Sequence, residues 1–149
     1  MYSRIVVGID GSELATKALR HALALAKQNS ARLFVVTATE PAMILAPGAE
    51  AIGVNTGEII AQLEEAKATS AKTTLADAKA LADAEGQAIE AIHVPATTAA
   101  DAIISTTEHQ GASLIVMGSH GRRGLGRLLL GSQAGEVLAR STVPVLVVK

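Results

Sequence analysis

The chain has no cysteine and no tryptophan, and its 149 residues include one tyrosine and one phenylalanine. The absence of cysteine excludes disulfides, thiol catalysis and cysteine-based zinc sites, and it fits a reducing compartment. With Tyr2 and Phe34 as its whole aromatic supply, the chain cannot build an aromatic platform for stacking single-stranded nucleic acid. We therefore expect a core of Val, Ile, Leu and Ala.

The sequence also lacks an excess of either charge and any long apolar run. Lysine and arginine total 13 and aspartate and glutamate total 14, for a net charge of −1, so nucleic acid is not an expected partner. The apolar part of the N-terminal stretch MYSRIVVGID is too short for a signal peptide. No segment approaches the roughly 18 apolar residues that a transmembrane helix needs. The sequence therefore predicts a soluble cytoplasmic protein with no membrane insertion.

Short apolar runs alternate with helical patterns along the whole chain. The apolar runs predict buried strands at 4–10, 32–39, 88–94, 113–118 and 143–149. Segments with helical spacing lie between them at 13–27, 58–85, 98–109 and 131–140. Continuous apolar strands that alternate with helices are typical of a parallel sheet covered on both faces. We expect residues 1–149 to form one three-layer α/β domain.

The longest predicted helix, 58–85, and the segment before it carry two further expectations. The helix has an apolar face at helical spacing, formed by Ile60, Leu63, Ala71, Leu75, Ala78 and Ala82. Its charged residues Glu64, Glu65 and Lys67 indicate a solvated face. The preceding segment 40–56 has two prolines and two glycines and no clean period. Loops of this length are usually functional or disordered, so this loop is either a lid or partner contact, or disordered.

A glycine-rich segment, GSHGRRGLGRLLLGSQAG at 118–135, follows the fourth predicted strand. Glycines at this density destabilise a chain unless its backbone bends tightly or approaches something closely. In open α/β sheets, ligands bind beyond the carboxyl ends of the strands, where the winding reverses. Gly118 and Asp10 both stand at such strand ends. A phosphate could bind there, held by backbone N–H groups and by the N-terminus of the helix that begins near Gly131 and Ser132.

Two better-known phosphate motifs do not fit this segment. A Rossmann G-x-G-x-x-G sequence could begin at Gly124 and Gly126, but Leu129 stands where the third glycine belongs. A P-loop could use Gly126 and Gly131, but Ser132 stands where the lysine belongs. The missing lysine argues against a fast P-loop NTPase and leaves a phosphate site made chiefly of backbone.

The spacing of Gly118, Gly121, Gly131 and Ser132 resembles the G-2x-G-9x-G-[ST] nucleotide motif of the universal stress protein family. RIVVGIDGSELATKAL is similar to the first strand and helix of that family, and the chain from LIVMG to its end is similar to the carboxyl-terminal third. The resemblance implies strand order 3-2-1-4-5, the ATP-binding branch of the family, and a nucleotide-dependent switch that regulates partner proteins during stress. It also implies a homodimer through the last strand, Val143–Val148, whose apolar edge invites pairing.

The resemblance further implies ATP, ADP or AMP as ligand, with Mg²⁺ or Mn²⁺ bridging the phosphates and waters. Asp10 would face the ribose or the adenine, and His120 would flank the phosphates. The other implied contacts are Gly8, Ile9, Thr37 and Ala38 at the adenine, Met117 and Gly118 at the ribose, and Gly121, Gly131, Ser132, Gln133 and Ala134 at the phosphates.

Several of these residues also have an interpretation that needs no ligand. Asp10 suits the turn Asp-Gly-Ser, Ser12 suits a helix cap, and Ser132 suits a cap, a phosphate contact or both. A second hypothesis is an enzyme, a slow ATPase or nucleotide hydrolase that uses His120 as its general base. The family resemblance also suggests self-phosphorylation on a Ser or Thr. A third hypothesis is a nucleotide-free interaction protein that docks a partner through 40–56.

Two further features leave the details of the ligand open. Family members commonly carry a glycine-proline turn after the third strand, whereas this chain has HVPATTAADAI, so the preferred nucleotide stays open. Arg122, Arg123 and Arg127 either neutralise phosphates or form a solvated surface.

Overall fold

The protein is described here by a computed structural model, which covers residues 1–43, 53, 55–121 and 129–149. The elements in chain order are β1 (Arg4–Gly8), α1 (Glu13–Asn29), β2 (Arg32–Thr39), α2 (Thr56–Ala84), β3 (Glu90–Pro95), α3 (Ala99–Gln110), β4 (Leu114–Gly118), α4 (Ser132–Arg140) and β5 (Val145–Val148). The strands form one parallel sheet in the order β3-β2-β1-β4-β5. This finding confirms the predicted fold and strand order, with boundaries that shift by a few residues.

Strand β1 lies at the centre of the sheet. Val7 is in register with Val35 of β2 on one side and with Val116 of β4 on the other. The chain winds outward from β1 in one direction through β2 and β3, and in the other through β4 and β5. The winding therefore reverses between β1 and β4, which is where an open α/β sheet forms a ligand crevice.

Helices cover both faces of the sheet, because alternate residues of a strand point to opposite faces. One core cluster joins the sheet to α1 and α2 through residues such as Leu23 and Ala78. The other joins it to α3 and α4 through residues such as Ile103 and Val137. Phe34 is fully buried, and the rest of both buried clusters is aliphatic apart from the methionine Met117, as the composition predicts.

The helix starts settle two of the open interpretations. The Ser12 hydroxyl accepts a hydrogen bond from Ala15 N at 3.2 Å, which confirms that Ser12 caps α1. At α4 the cap position is Gly131, and Ser132 is the first helical residue. The interpretation of Ser132 as a helix cap is therefore wrong.

The first half of α2 does not pack on the sheet as predicted. Its buried residues are Ala71, Thr74, Ala78 and Ala82, all in the second half, and Leu63 is 42% exposed rather than inward-facing. The helix has 29 residues and spans about 44 Å at 1.5 Å per residue. The neighbouring β2 has 8 residues and spans about 26 Å at 3.3 Å per residue. The first turns of α2 therefore extend past the carboxyl edge of the sheet.

Across the described part of the chain, no helix combines the length and the apolar content needed to cross a membrane.

Candidate functional site

A cavity of about 480 Å³ opens at the carboxyl edge of the sheet, where the winding reverses. The ends of β1, β2 and β4 form its floor, α2 forms one wall, and the first turns of α3 and α4 form the opposite wall. Sites for small ligands usually measure about 300–1,000 Å³. The cavity therefore has the size and the position of a ligand site.

The residues of the sequence-predicted nucleotide site come together in this cavity. Its lining includes Gly8, Ile9, Asp10, Thr37, Ala38, Met117, Gly118, His120, Gly121, Gly131, Ser132, Gln133 and Ala134. Their roles as contacts to base, ribose and phosphate remain predictions. Arg122, Arg123 and Arg127, together with most of the predicted loop 40–56, lie outside the described residues.

Asp10 stands at the floor of the cavity, just past the end of β1. Its Oδ1 accepts a hydrogen bond from Ser12 N at 2.9 Å, so Asp10 does form the predicted Asp-Gly-Ser turn. A Cβ added at Gly121 would lie 2.5 Å from Asp10 Oδ2. The backbone after β4 therefore passes directly over this carboxylate, and only a glycine leaves both in place. A carboxylate so oriented can accept hydrogen bonds from the hydroxyls of a ribose.

The N-terminus of α4, which also lines the cavity, carries donors that suit an anion. Gly135 N donates to Gly131 O at 2.9 Å, which is the first intrahelical bond. The N–H groups of Ser132, Gln133 and Ala134 precede it and have no acceptor within the helix. Together with the positive end of the helix dipole, these donors favour a phosphate.

Close backbone packing holds this helix end against the segment that follows β4. Gly131 N donates to Ser119 O at 2.6 Å. A Cβ added at Gly131 would lie 3.0 Å from His120 Cα and 3.1 Å from Ser119 O. Because the backbone yields less easily than a flexible side chain does, this approach favours glycine, although φ is an ordinary −62°.

The side chain of Gln133 has a structural partner that sequence reasoning missed. Its Oε1 accepts from Ala100 N at 2.8 Å, in the first turn of α3. Thr98 Oγ1 accepts from the next amide, Asp101 N, at 3.1 Å. The Gln133 side chain thus caps α3, and a phosphate contact falls to its backbone N–H.

His120 lies in the cavity lining beside a buried hydroxyl. Its Nδ1 is 3.3 Å from the hydroxyl of Ser119, a residue that is 6% exposed. A general base is normally oriented by a hydrogen-bond partner. The role of His120 as a base stays a prediction.

Sequence reasoning also missed the wall formed by α2. Lys67, Ser70 and Thr74 line the cavity, and Lys67 Nζ donates to Glu40 O at 2.6 Å. One turn earlier, Glu64 accepts a hydrogen bond from Ala42 N. Glu65 is exposed, as predicted for a solvated face, whereas Glu64 and Lys67 are half-buried and also bond the segment after β2. No local pattern reveals contacts between residues that stand 22 and 27 positions apart.

The turn after β3 has no glycine-proline sequence, and hydrogen bonds to Thr39 hold it in place. Thr97 N donates to Thr39 O at 3.2 Å, and the Thr39 hydroxyl is 2.8 Å from His93 Nε2. Ala96 adopts a positive φ of 56°. These bonds place Thr97 at the cavity.

The strand order and this crevice together define a doubly wound α/β protein with a cavity of ligand size at its topological switch point. Residues 1–149 match the model of the universal stress protein family. The chain belongs to that family, as its motif predicts.

The similarity to known universal stress proteins extends over the whole chain. The chain is 32% identical over 149 residues to Universal stress protein YxiE of Bacillus subtilis, covering 100% of both chains. A universal stress protein solved in complex with cAMP has a TM-score of 0.73 and 27% identity, with 99% of this chain and 97% of that one covered. The universal stress protein of Archaeoglobus fulgidus in complex with dAMP has a TM-score of 0.69 and 25% identity, covering 99% and 98%.

Proposed function

We propose that this chain binds an adenine nucleotide in the 480 Å³ cavity and acts as a nucleotide-dependent switch that regulates partner proteins. The observation that carries the proposal is the anion site at α4. Its open N–H groups share one cavity with the Asp10 carboxylate. A phosphate at α4 and a ribose at Asp10 would use both ends of that arrangement.

ATP is the ligand that we propose, with ADP and AMP as shorter forms. The spacing from Gly118 to Ser132 supports the ATP-binding branch of the family. The relatives solved with dAMP and cAMP carry adenine nucleotides, which supports the same base here.

A divalent cation, Mg²⁺ or Mn²⁺, would enter with the phosphates. Within the described ranges, no group of three or more His, Cys, Asp or Glu side chains is placed to hold a metal ion. The acidic residues that the structure places at the cavity are Asp10 and Glu40. The cation would therefore take its ligands mainly from phosphate oxygens and water.

The test is calorimetric titration with ATP and Mg²⁺, together with mass analysis of any nucleotide released when the purified protein is denatured. The wild-type chain should bind ATP. Gly121→Ala should weaken binding at least tenfold, because its Cβ would displace the Asp10 carboxylate. Gly135→Ala makes the same change within α4, 3.8 Å from Leu130 Cδ2, and should bind ATP like the wild type.

Thermal melts of both variants separate lost binding from lost folding. A wild-type chain that releases no nucleotide and takes up none would refute the proposal. Wild-type affinity in a folded Gly121→Ala variant would also count against it.

A further inference from the structure

We propose that Lys67 contacts the base of the bound nucleotide and helps to set which bases bind. This inference rests on the proposed function and assigns a role to a residue outside the glycine motif. Lys67 is half-buried in the cavity wall formed by α2. Among the described lining residues, it is the one lysine or arginine.

The sheet order places Lys67 at the end of the cavity opposite to the phosphates. The anion site at α4 adjoins the end of β4, whereas Lys67 is bonded to Glu40, just past the end of β2. Strand β1 separates β2 from β4, and neighbouring strands lie about 4.8 Å apart, so the two ends are separated by roughly 10 Å. A nucleotide whose phosphates lie at α4 therefore extends its base towards β2 and α2.

The chemistry of the ammonium group determines what it can recognise. Lysine has three N–H donors and no acceptor, and the described structure uses one donor on Glu40 O. Because its ammonium group can only donate, Lys67 requires an acceptor on the edge of the base, such as a purine ring nitrogen. The hydroxyls of Ser70 and Thr74 on the same wall can donate or accept.

A second contact between α2 and the segment after β2 does not depend on Lys67. Glu64 accepts from Ala42 N one turn earlier on α2, which ties the same segment to the helix independently. The segment after β2 therefore stays attached to α2 when the bond from Lys67 to Glu40 is exchanged or removed. A variant that lacks the ammonium group should keep the shape of the cavity.

The first experiment compares Lys67→Met with Lys72→Met, an exposed lysine of the same helix outside the cavity lining. Each full-length variant is titrated with ATP and with inorganic tripolyphosphate, which lacks ribose and base. Lys67→Met should bind ATP about tenfold more weakly, as expected for the loss of one charge-assisted hydrogen bond. Its affinity for tripolyphosphate should be unchanged, and Lys72→Met should match the wild type with both ligands.

The second experiment identifies the acceptor with ATP analogues in which N1, N3 or N7 of the base is replaced by CH. One analogue should bind the wild type more weakly than ATP does, and this difference should disappear in Lys67→Met. A purely structural role for Lys67 produces no such coupling to a single atom of the base.

Other results would overturn the inference. An equal loss for ATP and tripolyphosphate would place Lys67 at the phosphates or in a structural role. If the wild type binds ATP and Lys67→Met binds it equally well, the role of Lys67 is refuted and the proposed function is not. A wild type that binds no ATP would refute the proposed function, and this inference with it.

Discussion

Ala96 shows how a single residue can lie in an unfavourable backbone conformation beside the site. It follows Pro95, the last residue of β3, with a φ of 56°. The left-handed region costs an L-residue roughly 1–2 kcal/mol. Glycine avoids that steric cost but loses about 0.5–1 kcal/mol more in conformational entropy on folding. The steric term is the larger, so alanine at this position weakens the fold.

Ala96→Gly should therefore raise the free energy of unfolding by about 0.5–1 kcal/mol, as measured by urea denaturation. The matched control is Ala80→Gly, an exposed position within α2, where the same substitution should cost about 1 kcal/mol. Destabilisation of both variants by a similar amount would show that Ala96 is not strained.

For single residues, the sequence predicts well which of them lie at the cavity. It predicts less well which partners their side chains bind. The motif spacing and the strand ends suffice to locate residues such as Asp10 and Gly131. The bond from Gln133 to Ala100 and the bond from Lys67 to Glu40 join distant parts of the chain. Such contacts depend on how the helices pack, which no local pattern encodes.

Among the elements, α3 and α4 are joined by two contacts, both in the first turn of α3. Gln133, at the start of α4, caps α3. Arg140, at the end of α4, donates to Asp101 of α3 at 2.7 Å and to Glu136 of its own helix at 2.6 Å. The hydrogen bond from Arg140 lowers the pKa of the Asp101 carboxyl, and a bond from Thr98 adds to the shift. This exposed ion pair contributes little to stability, so we expect the Gln133 contact to matter more.

Two substitutions at Gln133 should separate its structural role from ligand binding. Gln133→Ala leaves the amide of the fully buried Ala100 without its acceptor, at a cost of about 1–3 kcal/mol. Gln133→Glu keeps an acceptor and adds a negative charge near two helix N-termini, which preserves stability. The same charge repels phosphate, so ATP affinity should fall at least tenfold. Urea denaturation and calorimetry measure the two effects.

Unchanged ATP affinity in Gln133→Glu would contradict phosphate binding at α4. An equally unstable Gln133→Glu variant would contradict the capping role.

Element order and type follow well from the sequence, because continuous apolar strands and helical spacing are both local signals. The packing of α2 does not follow from the sequence in this way. Its apolar face continues through Leu63, but the helix is longer than the strands that it covers. The length of sheet available to a helix depends on the whole fold, so the outward position of Leu63 could not be read from its periodicity.

For the whole molecule, the main expectation is a homodimer through β5. This strand stands at one edge of the sheet and pairs with β4 on one side. Leu146 is 37% exposed in a strand without charge. We propose that a second copy pairs with this edge.

Leu146→Lys should convert the dimer to a monomer in sedimentation experiments, because a lysine on an edge strand opposes pairing. Leu63→Lys changes a similarly exposed leucine on α2, at 42%, and should leave the dimer intact. A dimeric Leu146→Lys variant would show that assembly uses another surface.

The placement of the cavity has one more consequence. Its α2 wall belongs to the layer on one face of the sheet, whereas α3 and α4 belong to the layer on the other. A ligand that contacts both walls would act as a non-covalent cross-link across the edge of the sheet. Its binding free energy, which adds RT ln(1 + [L]/Kd) to stability, would then be shared by the helical layers on opposite faces of the sheet. Occupancy would therefore change how cooperatively the two layers unfold.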